Sequence, residues 1–286
     1  MKDKTTRYLI IPMLALWGTF TVFPVLASFV KSLQSCRGNT CTFVGFQNYI
    51  SLFSDNLFRE SLINTTIFFI IQVPLMILLS IILANVLNQK TLKFKGVYRT
   101  MVILPAVTSL VVYSIFFKLI FMENGLINNF LMNVNLIATP IQWLSTANPA
   151  RFVLIIALVW RWTGYNTVFF LSGMQNIDDE IYEAATIDGA NTIQQFTKIT
   201  LPLLKPIILF VTVISTLGTL NLFDEPMVIT NGGPGTATIT LGQMIYKHLF
   251  VFTPNAGYAS AIAYVIVIIA VALAILQNKF LGDDDR

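Results

Sequence analysis

Six stretches of this chain run for about twenty residues or more with almost no charge: Tyr8–Lys31, Leu62–Val86, Met101–Phe121, Phe152–Met174, Leu203–Phe223 and Tyr258–Gln277. A bilayer core of about 30 Å takes roughly 20 helical residues to cross, so each stretch is long enough to span it. Lipid leaves only helices or a closed barrel, and these runs lack the strict alternation of a barrel strand. Composition excludes the other classes. Charged residues make up 11% of the chain, against roughly 25% in soluble domains, so neither a soluble globule, a disordered chain nor a nucleic-acid binder fits. The expectation is an all-α polytopic membrane protein with six transmembrane helices. Lys2, Lys4 and Arg7 before the first stretch resemble a signal-peptide n-region. A signal h-region is only about 7–15 residues long, so the first stretch reads as a retained helix.

Basic residues set the orientation. One side carries Lys2, Lys4, Arg7, Lys90, Lys93, Lys95, Arg99, Lys198, Lys205, Lys279 and Arg286. The other carries Lys31, Arg37, Arg59, Arg151 and Lys247. The positive-inside rule puts both termini and the loop after the fourth stretch in the cytoplasm. Cys36 and Cys41 then fall in the first outer loop, where a disulfide and two free thiols are both open readings. The chain has no phosphate loop, no nucleophile elbow and no paired zinc-binding histidines, and its one histidine, His248, has no ligand partner nearby. Gly232-Gly233-Pro234-Gly235 reads as a turn. Transport or scaffolding is expected over catalysis, with no metal or cofactor bound by this chain.

The segment from Asn176 to Pro206 carries the most information. Asp178, Asp179 and Glu180 suit a helix N-terminus, and Gly189 suits a helix stop. A second short helix is expected over about Thr192–Thr200, ending before Leu201-Pro202. The spacing Glu183-Ala184-Ala185, three residues ending in Asp188, Gly189, nine residues, Ile199-x-Leu201-Pro202 resembles the EAA loop of binding-protein-dependent ABC importer permeases. Val44-Gly45-Phe46-Gln47-Asn48-Tyr49, Asn64-Thr65, Gly164-Tyr165-Asn166, Gly173-Met174-Gln175-Asn176, Phe223-Asp224 and Thr230-Asn231-Gly232-Gly233-Pro234 are similar to the sugar branch of that family, the maltose, multiple-sugar and glycerol-phosphate type. The resemblance implies a permease domain over about 61–278, with an N-terminal tail, helix and outer loop over 1–60 and a cytoplasmic tail at 279–286. It also implies a bacterial or archaeal cytoplasmic (inner) membrane location. A second homologous permease, two ABC ATPase subunits and an external solute-binding protein are the implied partners. ATP and Mg would sit on the ATPases. Glu183, Ala184, Ala185, Asp188, Gly189, Ile199, Leu201 and Pro202 would couple to those ATPases.

Solute contacts are expected where polar and aromatic groups meet within the membrane. Arg161 lies between Trp162 and Trp160, close to Tyr165, and either lines the path or is a structural arginine that snorkels or pairs with another helix. Ser215, Gly218, Thr219 and Leu222 match, by resemblance, the sugar-contacting positions of maltose permeases; Leu222 departs from the polar residue expected there. Small residues on that helix also suit close packing. Asp224 and Glu225 read either as gate contacts or as a solvated helix end. The competing reading is half of an ion-coupled secondary transporter. That class favours internal repeats and intramembrane acids near the midplane, and neither is visible.

Overall fold

The computed structural model describes residues 2–37, 40–89 and 91–282. Its helices are α1 (Lys2–Trp17), α2 (Phe23–Ser32), α3 (Gln47–Ser54), α4 (Asn56–Asn88), α5 (Lys95–Val107), α6 (Leu110–Ile120), α7 (Leu126–Asn133), α8 (Ala147–Gln175), α9 (Asp179–Ile187), α10 (Thr192–Gln195), α11 (Leu201–Leu203), α12 (Lys205–Leu220), α13 (Asp224–Ile229), α14 (Leu241–Tyr246) and α15 (Ala256–Leu281). Two strands, β1 (Gln34–Arg37) and β2 (Thr40–Phe43), pair antiparallel. Among the described residues five helical stretches are long and apolar enough to cross a membrane, Ile10–Ser32, Asn56–Asn88, Ala147–Gln175, Lys205–Ile229 and Ala256–Leu281, and the bent pair α5 and α6 makes a sixth when taken as one span. Two compact units emerge, Met1–Arg59 with Met244–Ile268, and Glu60–Gln243 with Ile269–Arg286.

In the first unit, Cys36 and Cys41 face each other across the β1–β2 pair and are joined by a disulfide. Asn48 donates to the carbonyls of Ser32 and Gln34, tying the hairpin to α3. Tyr258 donates to Asp55. His248 packs against Phe252 and Tyr258, and burial holds its pKa below the usual histidine range against the pull of Asp55.

In the second unit, the third apolar stretch is not one straight span. α5 and α6 meet at 92° across Thr108 and Ser109, which are extended. Pro105 starts the break, because it supplies no N–H and its ring crowds the carbonyl four residues earlier. A break at this depth strands the last carbonyls of α5, which lipid cannot satisfy. Arg161 of α8 supplies the donors. Its Nη1 donates to the Thr108 and Pro105 carbonyls at 2.9 and 3.4 Å, and its Nη2 to Ala106 at 3.3 Å. The guanidinium also lies over the rings of Tyr113 and Trp162. A cation at a helix C-terminus is favourable in its own right. α5 reaches α8 because residue 164 is glycine; a Cβ there would overlap the Val102 carbonyl oxygen.

Arg161→Leu is therefore expected to leave three carbonyls without donors and to destabilise the fold by about 2–4 kcal/mol. Arg161→Lys keeps the charge but not the planar fork, and should recover only part of that loss. Thermal unfolding in detergent measures both; equal stability of all three proteins would remove the capping role.

Candidate functional site

Two places in the second unit gather the residues that the sequence singled out. The first is a cavity of about 370 Å³ between α4, the start of α6, α8, α12 and the first turn of α13. That volume lies within the ~300–1,000 Å³ of small-molecule sites. α8 contributes Trp162, Tyr165 and Asn166, and α12 contributes Ser215, Gly218 and Thr219. Residues three or four apart on a helix share a face, so each set points one way. Trp162 and Tyr165 meet edge to face with centroids 5.8 Å apart, giving an aromatic wall. Asn166 donates to Ser215 Oγ at 3.3 Å and links the two helices, while Thr219 turns its hydroxyl onto the Ser215 carbonyl.

Six of the seven expected path residues line this cavity: Trp162, Tyr165, Ser215, Gly218, Thr219 and Leu222. Arg161 does not, because its guanidinium is held by the broken end of α5. Leu222 has its side chain in the core and its carbonyl bonded by Thr240 Oγ1, so it anchors a loop as well as closing the cavity. Gln72 was not singled out in the sequence. Gln72 comes from the middle of α4, and its signal was a lone amide inside an apolar run. Glu225 is 3% exposed, so for this residue the solvated-end reading is replaced by a buried one. The physical reason is that the fifth span does not stop at Phe223. It breaks near Asn221–Phe223 and continues as α13, which packs against α6. Asp224, one residue earlier, is exposed.

A scaffold stands beside the cavity. Asn64 donates to the carbonyls of Thr236 and Ile239 and accepts from Arg151, which also donates to the Ala237 carbonyl. Thr65 Oγ1 accepts from the Leu241 backbone N–H. The Asn64-Thr65 pair thus holds the loop after α13, whose turn uses positive φ at Asn231, Gly232 and Gly235.

The second place is the α9–α10 segment. Asp178 starts α9 with Asp179 and Glu180 in its first turn, and Gly189 follows its end at φ +81°. Asn191 and Gln194 form a reciprocal capping box at α10. Tyr182 and Thr200 share a hydrogen bond, and Gln195 donates to Thr186, bracing the two helices. No residue of α9 is buried, and Ile187 is 86% exposed. Ala185, Asp188, Gly189 and Ile199 line one groove of about 370 Å³. Glu183 lines a separate recess of about 350 Å³ with Tyr182 and Thr186, and Ala184 is exposed on α9. The expected helix stop before Pro202 does not occur. The chain passes from α10 through a π-helical turn, Phe196–Thr200, into α11 and on to α12. Leu201 and Pro202 open α11, where the missing proline N–H costs little.

Apolar helices around a polar, aromatic cavity, with an unburied helix–glycine–helix segment between the fourth and fifth spans, define a membrane-spanning transport subunit. Residues 48–279 match the family described as binding-protein-dependent transport system inner membrane component, and the chain belongs to that family. It is 47% identical over 268 residues to the lactose transport system permease protein LacF of Rhizobium radiobacter, covering 93% of this chain and 90% of that protein. It is 34% identical over 280 residues to the arabinooligosaccharides transport system permease protein AraP of Bacillus subtilis, covering 95% and 86%. Its fold matches a chain in the crystal structure of a bacterial alginate ABC transporter in complex with alginate pentasaccharide-bound periplasmic protein. That match has a TM-score of 0.85 at 21% identity and covers 97% of this chain and 94% of that one.

Proposed function

We propose that this chain is a permease subunit of an ATP-driven importer and forms half of the path for a mono- to oligosaccharide or a related polyol or sugar phosphate. The observation that carries this reading is the cavity, in which an aromatic wall from α8 meets hydroxyl and amide groups from α8 and α12. Sugars are held by such a combination of ring stacking and convergent hydrogen bonds. Similarity to lactose and arabinooligosaccharide permeases supports the same class. In this reading a second, homologous permease supplies the other half of the path, and an external binding protein delivers the solute. Two ATPase subunits hold ATP and Mg and dock at α9–α10. That segment and both termini lie in the cytoplasm, and the chain itself performs no hydrolysis.

The test is uptake by the assembled complex in proteoliposomes, with lactose, maltose, trehalose and arabinooligosaccharides as probes. ATP inside the vesicles should drive accumulation with no ion gradient imposed. Accumulation that follows a proton or sodium gradient and ignores ATP would instead favour an ion-coupled transporter.

A further inference from the structure

Two side chains of the cavity wall each keep one buried oxygen without a hydrogen bond among the described residues. Gln72 and Glu225 are 4% and 3% exposed, and Gln72 Oε1 and Glu225 Oε1 make no hydrogen bond among the described residues. Buried acceptors are rarely left so, because an unpaired one costs free energy that only a donor can recover. Both residues line the same cavity, from opposite elements, α4 and α13. Asp224 adds a second carboxyl to the lining. Among the described residues no lysine, arginine or histidine lines it. Arg161 is turned onto the α5 carbonyls and the face of Tyr113, and Tyr113 in turn faces Glu225.

We infer that this cavity takes uncharged polyhydroxy solutes and rejects anionic ones, with the carboxyls of Asp224 and Glu225 setting its charge and Gln72 adding an amide to its wall. The inference rests on reading the chain as a sugar permease and narrows it, since a sugar phosphate or uronate would then be excluded. A sugar hydroxyl is a donor and suits a wall that carries carboxyls. A phosphate, sulfonate or carboxylate brings further acceptors and like charge into a site of low dielectric, where repulsion is strong and no cation on the wall offsets it.

The test reads the charge of the cavity without knowledge of the solute. Gly218 faces the cavity, and a Cβ there meets no atom within 4 Å, so Gly218→Cys places a thiol in it. The two native cysteines are already paired. In the assembled complex, a cationic methanethiosulfonate reagent should react about tenfold faster than an anionic one of similar size, after correction for their rates with a free thiol. Adding Glu225→Gln should bring the ratio to within about threefold. Asp224→Asn removes an exposed charge without disturbing packing, and should lower the ratio in the same direction. In parallel, Gln72→Leu and Glu225→Gln should each raise the half-saturating lactose concentration about tenfold. Equal labelling rates in the Gly218→Cys protein would overturn the inference. So would a ratio unmoved by both acidic variants. A strong labelling bias in a complex that imports none of the neutral sugars would overturn the sugar reading and leave the charge selection standing. Lactose import without the bias would do the reverse.

Discussion

Replacing Glu183 with lysine, or Gly189 with aspartate, is expected to abolish solute uptake while the protein still inserts and assembles with its partner permease. The expectation follows from where these residues are, and from what they do not touch. α9 buries none of its residues, and a Cβ at Gly189 meets nothing within 4 Å. Added bulk at Gly189 therefore points away from this chain and toward whatever docks there. The residue also sits at φ +81°, where a side chain costs on the order of 1 kcal/mol. That cost is too small to unfold a protein, yet large enough to shift the angle between α9 and the segment that follows. Glu183→Lys inverts a charge on an exposed helix face, and like charges or unpaired groups at a closely packed interface cost several kcal/mol. Several kcal/mol correspond to a loss of more than a hundredfold in docking, so ATP hydrolysis should no longer respond to the loaded binding protein. Uptake in proteoliposomes and pull-down of the ATPase measure the two effects separately. Normal uptake by either variant would remove α9–α10 as the coupling element. Gly189→Asn, which tolerates positive φ better than most residues, should retain more activity than Gly189→Asp if strain contributes to the loss.

The spans were legible in the sequence because the signal for a span is local: an apolar run either is or is not about twenty residues long. The α9–α10 segment was legible for a similar reason, since acid, glycine and proline punctuation acts within a few residues. The break between α5 and α6 was not legible. Pro105 alone does not decide between a kinked span and a broken one. The deciding group is Arg161, more than fifty residues later, whose donors make the broken end stable. Read alone, an arginine between two tryptophans has a claim both to a path and to a structural partner on another helix. The cavity was legible only by halves. Tyr165, Ser215 and Thr219 share faces of their own helices, so periodicity finds them. Gln72 and Glu225 join them only through packing of α4 and α13, and Glu225 stayed between a gate contact and a solvated helix end because Phe223 was taken as the end of a span that continues to Ile229. At Pro202 the rule that a proline stops a helix failed, because a π-helical turn ahead of it let the chain continue.

Gly218→Trp is expected to block uptake outright. The substitution is a cleaner obstruction than one at Thr219, whose buried hydroxyl bonds the Ser215 carbonyl, so that a large side chain there would disturb packing as well. Gly218 is exposed to the cavity, and its Cβ direction is empty. Glycine in the interior of α12 is also a poor helix former, by about 1 kcal/mol relative to alanine. Any side chain that fits the space should therefore leave the helix as stable as before, or slightly more so. An indole filling much of a cavity of about 370 Å³ leaves no room for a sugar ring. Gly218→Ala serves as the control, with stability unchanged or raised by about 0.5–1 kcal/mol and uptake largely kept. Basal ATP hydrolysis and assembly with the partner should survive both changes, because neither touches α9–α10. The readouts are uptake rate, half-saturating solute concentration and thermal stability in detergent. Loss of uptake in the tryptophan variant alone, with stability equal in both, puts α12 on the solute route. Normal uptake by Gly218→Trp would take α12 off it, and the wall formed by Trp162 and Tyr165 on α8 would be the next place to obstruct.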